Sequence, residues 1–157
     1  MTPQAYGRWL EAAIIDHYGW GEQPGSGNRW NHPSDAIGPH EYQIEIKAHQ
    51  WTPGHGSSTF SLPLLRYWRK VEQEAQQHGR IPLLVVALRV TWAVAFTTPA
   101  IACDWDLPPL KDRVVESGKT VREDPVTWLT GMRYHTPHGV WIRLPLDDVP
   151  GLVVAGS

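Results

Sequence analysis

Apolar and polar positions follow two different periods along this chain, and the changes between them mark its elements. Tyr6, Trp9, Leu10, Ala13, Ile14 and His17 recur at helical spacing. Thr2 suits the N-cap of that segment, Pro3 its first position and Gly19 its stop. The spacing therefore predicts a first helix over residues 3–18. The stretch from Trp20 to Trp30 is too rich in glycine for a regular strand and reads as a short strand or bulge running into a loop. Tyr42-Gln-Ile-Glu-Ile-Lys-Ala48 then alternates with the period of a strand. Ile44, Ile46 and Ala48 fall on one face and Glu45 and Lys47 on the other, so the charged pair is expected to face a cleft and not the core. Asp35 lies ten residues before Glu45, ahead of a Gly38-Pro39 turn, the layout of a short strand hairpinned against the Glu45 strand.

Ser61 is placed to cap a second helix that runs to about His78 and stops at Gly79. Leu64, Leu65, Trp68, Val71 and Ala75 form its inner stripe. Residues 81–90 are nearly all aliphatic and predict a central strand buried on both faces, with residues 92–97 as its partner. Beyond Pro99 the pattern weakens to a loop with Pro108-Pro109, a short helix at 110–116 and a closing strand at 140–144. The order is helix, three strands, helix, strand. That order predicts an α/β single domain, a mixed β-sheet flanked by helices, with its core at about residues 2–97 and residues 98–157 extending the same domain.

Composition narrows the partners. A lone cysteine, Cys103, excludes an intrachain disulfide framework, and no export signal opens the sequence, so an intracellular, cytoplasmic protein is expected. Residues 90–103 are too short and too interrupted for the roughly 20 residues a membrane helix requires. A formal charge of -2 argues against bulk polyanion binding and leaves any DNA contact to local basic patches. Arg66, Arg69 and Lys70 recur at helical spacing away from the inner stripe, a basic face able to track a phosphate backbone. Arg29-Trp30 in the glycine-rich loop, and Gln50 just past the Glu45 strand, are further candidates for DNA contact. The eight histidines form no paired Cys/His ligand set, His135-Thr-Pro-His138 being the nearest approach.

A Glu-x-Lys triplet alone occurs by chance in many chains. Here it is bracketed by isoleucines, preceded by an aspartate at hairpin distance and followed by an amphipathic helix and a buried strand. Together with Glu11 on the first helix and Gly25-Ser26-Gly27, this constellation resembles the PD-(D/E)xK nuclease superfamily, and within it the archaeal-type Holliday junction resolvases and their viral relatives. The likeness covers about residues 5–95. It implies a restriction-endonuclease-like fold with an α-β-β-β-α-β core, bound Mg²⁺ or Mn²⁺, and a homodimer that nicks opposing strands of a four-way DNA junction. Carried over by position, Asp35 and Glu45 match the two metal-binding carboxylates, Lys47 the motif lysine, Glu11 the helix glutamate and Ser26 a loop serine. The carbonyl of Ile46 would be a further ligand, and Glu11 would join directly or through water. In one departure, Ser34 intervenes between Pro33 and Asp35 where the motif has proline next to the acid.

The expectation is a Mg²⁺-dependent, structure-selective endonuclease. A restriction- or repair-type relative acting on linear or damaged DNA is the alternative among enzymes. Outside enzymes, the alternative is a DNA-binding module whose acids are not catalytic.

Overall fold

A computed structural model of the chain describes residues 2–22, 35–37, 41–49 and 59–152. The first helix, α1, spans Pro3–Tyr18. Thr2 accepts a hydrogen bond from the Ala5 amide at 3.1 Å, and Gly19 ends the helix in the left-handed region at φ 71°. Its buried stripe is Leu10, Ile14 and Tyr18, not the expected set, because Trp9 is 54% exposed and His17 is exposed. The rotation of α1 is fixed near its start, where the Tyr6 hydroxyl donates to the Leu88 carbonyl at 2.7 Å and Arg89 donates to Tyr6 at 2.6 Å.

The remaining elements are β1 (Gly21–Glu22), β2 (Asp35–Ile37), β3 (Tyr42–Ala48), β4 (Phe60–Leu62), α2 (Leu64–His78), β5 (Ile81–Arg89), β6 (Trp92–Thr97), β7 (Lys111–Val114), β8 (Val121–Glu123), β9 (Met132–Thr136) and β10 (Gly139–Pro145). Eight of the strands form one mixed sheet in the order β1-β2-β3-β5-β6-β10-β9-β7, and β4 pairs with β8 separately. The predicted run of helix, three strands, helix and strand is present, with β4 added before α2. β3 and β5 run parallel, as a crossover through α2 requires, while β2 and β3 are antiparallel.

Two apolar clusters lie on the two faces of the sheet. Ile44, Ile46, Leu83, Val85 and Ala87 pack with Leu10, Ile14 and Tyr18 of α1. Leu84, Val86 and Leu88 pack with Leu64, Leu65, Trp68 and Val71 of α2. β5 is thus buried on both faces, as its aliphatic run predicts.

The second helix starts later than expected. Ser61 lies in β4 and accepts a hydrogen bond from Arg122, while Pro63 precedes α2 with no side-chain cap. Pairing of β4 with β8, about 60 residues away in sequence, takes Ser61 out of the capping position. Residues 110–116 form no helix; they hold β7, an exposed strand at the margin of the sheet. The strand expected at 140–144 is β10, which sits between β6 and β9 and does not close the sheet.

A buried polar cluster holds the strands added after β6. Glu123 and Arg143, each 1% exposed, form an ion pair, and Tyr134 donates to Glu123 at 2.8 Å. Arg143 also donates to the Thr127 and Thr130 carbonyls at 2.8 and 2.9 Å, so one guanidinium ties two strands to the turn between them. Further along, Trp20 donates to the Leu152 carbonyl at 3.2 Å and Tyr18 to Asp147 at 2.7 Å, which fastens the end of the described chain to α1. Among the described residues no helix is long and apolar enough to cross a membrane.

Candidate active site

The register of β2 and β3 sets Asp35 directly opposite Glu45. Directly opposed positions of an antiparallel pair share one face of the sheet, so the two acidic positions fall on the same side. Asp35 is described through its backbone alone. Lys47 follows Glu45 by two residues and belongs to that face by the same alternation.

Glu45 is wholly buried. The expectation that it faces an open cleft is therefore corrected: α2 packs against β3 as well as β5, and Glu45 lies beside Leu84 on the face that α2 covers. Removing a carboxylate from water costs several kcal/mol unless it is paired. Two ammonium groups offset that cost here. Lys47 Nζ lies 3.0 Å and Lys70 Nζ 2.8 Å from Glu45 Oε1. Lys70 was expected on a solvated basic face with Arg66 and Arg69; it instead turns toward Glu45 and Glu74, while Arg66 and Arg69 are exposed.

Glu11 joins the group from α1. Burial pushes its carboxyl up to about 7, Lys47 and Lys70 pull it back, and Glu45 pushes in the same direction as burial. The charges of Lys47, Lys70 and Glu45 are thus felt at Glu11. The helix glutamate, the strand acid and the motif lysine singled out in the sequence are brought together, and Lys70 is added to them.

Two more residues flank the group. The Tyr67 ring lies 5.1 Å from Lys47 Nζ, and the Arg66 guanidinium is 5.5 Å from the same ring. His49, two residues past Lys47, sits beside Phe60 and Tyr67, with ring centroids 5.1 and 6.5 Å apart. Burial, helped by Lys47, lowers its pKa, so its imidazole is neutral at physiological pH. The signal for His49 was in the sequence, since the period of two that pairs Glu45 with Lys47 reaches it next. Ser26, Arg29, Trp30 and Gln50 lie outside the described residues.

No family model, curated protein or solved structure matches this chain.

The donors suit a hard cation in kind. Glu45, Glu11 and the Ile46 carbonyl offer oxygen donors, the kind a hard cation takes, and Asp35 holds the facing register position. Among the described residues, no group of three or more His, Cys, Asp or Glu side chains is gathered on a metal position. Lys47 and Lys70 place positive charge at Glu45. Elsewhere on the sheet, His135 contacts Asp112 at 2.8 Å.

Proposed function

We propose that this chain is a divalent-metal-dependent DNA endonuclease with a restriction-endonuclease-like core, acting as a homodimer on four-way junctions. The register that sets Asp35 opposite Glu45, with Lys47 beside Glu45, is the observation that carries the reading. The order of helix, three strands, helix and strand supports it.

When bound, Mg²⁺ or Mn²⁺ would polarise the phosphate and lower the pKa of a coordinated water. Asp35, Glu45 and the Ile46 carbonyl would hold the ion, with Glu11 completing the set. Lys47 presents a compact ammonium next to Glu45, placed to orient the attacking water or to balance charge that develops on the phosphate. Lys70 offsets the charge of Glu45, and with a divalent ion bound its ammonium would be repelled from that carboxylate. A two-fold symmetric substrate cut at two equivalent places calls for two such sites related by a two-fold axis, hence the dimer.

The test is nicking of a labelled four-way junction and of a linear duplex of equal sequence, with Mg²⁺ or chelator, by the native chain and by Asp35→Asn. Paired nicks on the junction that need the ion, and that fall by at least about 100-fold in Asp35→Asn, are expected. Cleavage surviving that substitution would remove Asp35 from the mechanism. Equal cutting of the linear duplex would replace junction selectivity with the restriction- or repair-type activity. Junction binding without any nicking would leave a DNA-binding module.

A further inference from the structure

A second basic site lies at the start of α2. There a cavity of about 380 Å³ is lined by Pro63, Leu65, Arg66, Arg69, Lys119 and Thr120. Three of these six residues are cations and none is an acid. Arg66, Arg69 and Lys119 are all exposed, and among the described residues none of them forms an ion pair with an acid. This sets them apart from Lys47 and Lys70, held on Glu45, from Arg113 and Arg143, held on Glu123, and from Arg133, held on Asp112.

The gathering is fixed by the backbone. The Leu65 amide donates to the Lys119 carbonyl at 3.3 Å, pinning the turn before β8 against the first turn of α2. That first turn has no acidic residue and no capping side chain, so its field adds to the three cations. In a chain of net charge -2, three like charges brought together without a counter-ion favour an anionic ligand.

The position of the cavity says which anion. Arg66 and Lys70 stand four residues apart on α2, roughly 6 Å along its axis. The Tyr67 ring lies against both Lys47 at the candidate active site and Arg66 at the cavity. Successive phosphates of one DNA strand advance about 3.4 Å along the duplex axis, so the rise from Arg66 to Lys70 corresponds to about one to two nucleotides. We propose that Arg66, Arg69 and Lys119 form a phosphate-binding subsite that grips a DNA strand one to two nucleotides from the bond to be cut. This rests on the nuclease reading for its register, while the anion site itself stands on the three cations.

The experiment is fluorescence anisotropy of a labelled four-way junction in chelator, from 50 to 200 mM salt. The chains compared are the native one, Arg69→Ala, Lys119→Ala, the double Ala variant and the charge-keeping pair Arg69→Lys with Lys119→Arg. Each lost phosphate contact should lower the slope of log affinity against log salt by about 0.9. The double Ala variant should lose about twice that and bind about tenfold more weakly at 100 mM salt, and the charge-keeping pair should restore most of the slope. Arg133→Ala, a cation elsewhere on the sheet, should leave the slope unchanged.

A native slope in the double Ala variant overturns the subsite, as does an equal fall with Arg133→Ala. Binding in chelator is read separately from cutting. An unchanged slope alongside nicking that Asp35→Asn abolishes removes the subsite and keeps the nuclease. A reduced slope in a chain that never nicks does the reverse.

Discussion

Replacing Glu11 by Gln should stabilise the metal-free protein at alkaline pH and leave it unchanged in acid. Burial raises the Glu11 carboxyl from an ordinary 4.5 to about 7. The folded chain therefore holds a proton that the unfolded chain releases between those values. Its contribution to stability is complete below about pH 4.5 and is lost as the pH rises through about 7. At about 1.4 kcal/mol per unit, the full loss is on the order of 3 kcal/mol. A neutral amide of the same shape carries no such penalty. For a chain of this size, 3 kcal/mol corresponds to a melting temperature higher by about 6–12 °C. The assay is thermal unfolding by circular dichroism at pH 5 and pH 8.5 in chelator, with Glu11→Gln beside the native chain. The two should melt within about 2–3 °C of each other at pH 5 and separate several-fold further at pH 8.5, the variant being the more stable. On the proposed metal site, saturating Mg²⁺ at pH 8.5 should narrow the gap by stabilising the native chain, whose ionised Glu11 would be the form that binds it. Equal stabilisation at both pH values, or native stability that climbs between pH 5 and 7, would refute the reasoning.

Two other substitutions probe the buried charges. Lys70→Ala removes one of the two ammonium groups that the described residues set on the wholly buried Glu45; it should cost about 1–3 kcal/mol in urea unfolding and lower the Mg²⁺ concentration needed for half-maximal nicking. Arg143→Met leaves the buried Glu123 with Arg113, a partly exposed cation, in place of its buried partner and should cost about 3–5 kcal/mol in the same measurement, whereas Arg143→Met with Glu123→Leu should recover much of that loss, because the charge left over, Arg113, reaches solvent.

The parts of the fold legible in the sequence were those where burial is two-sided or strongly one-sided. The α2 stripe of Leu64, Leu65, Trp68, Val71 and Ala75 is buried as its spacing predicts, and so is the aliphatic run of β5. The margin strand β7 was misread as a helix because Lys-Asp-Arg-Val carries charges along an exposed margin, as edge strands do, and so shows no alternation. Ser61 was misread because local cap chemistry yields to a strand partner far along the chain. At the candidate site, the alternation of β3 and the hairpin distance to Asp35 were sufficient to set the two acidic positions on one face. Lys70 was not legible. It lies one position from Val71 on α2, and only the order of strands beneath the helix decides whether that flank overlies Glu45 or faces solvent.

The strand order also bears on how far this chain can be trimmed. β6 takes one neighbour from β5 and the other from β10, which arrives some forty residues later. A fragment halted at Thr97 would keep both acids and both lysines yet bare a long row of amide and carbonyl groups down one side of β6. Such a border invites strands from other molecules. The minimal catalytic unit suggested by motif alone would therefore clump before its chemistry could be assayed.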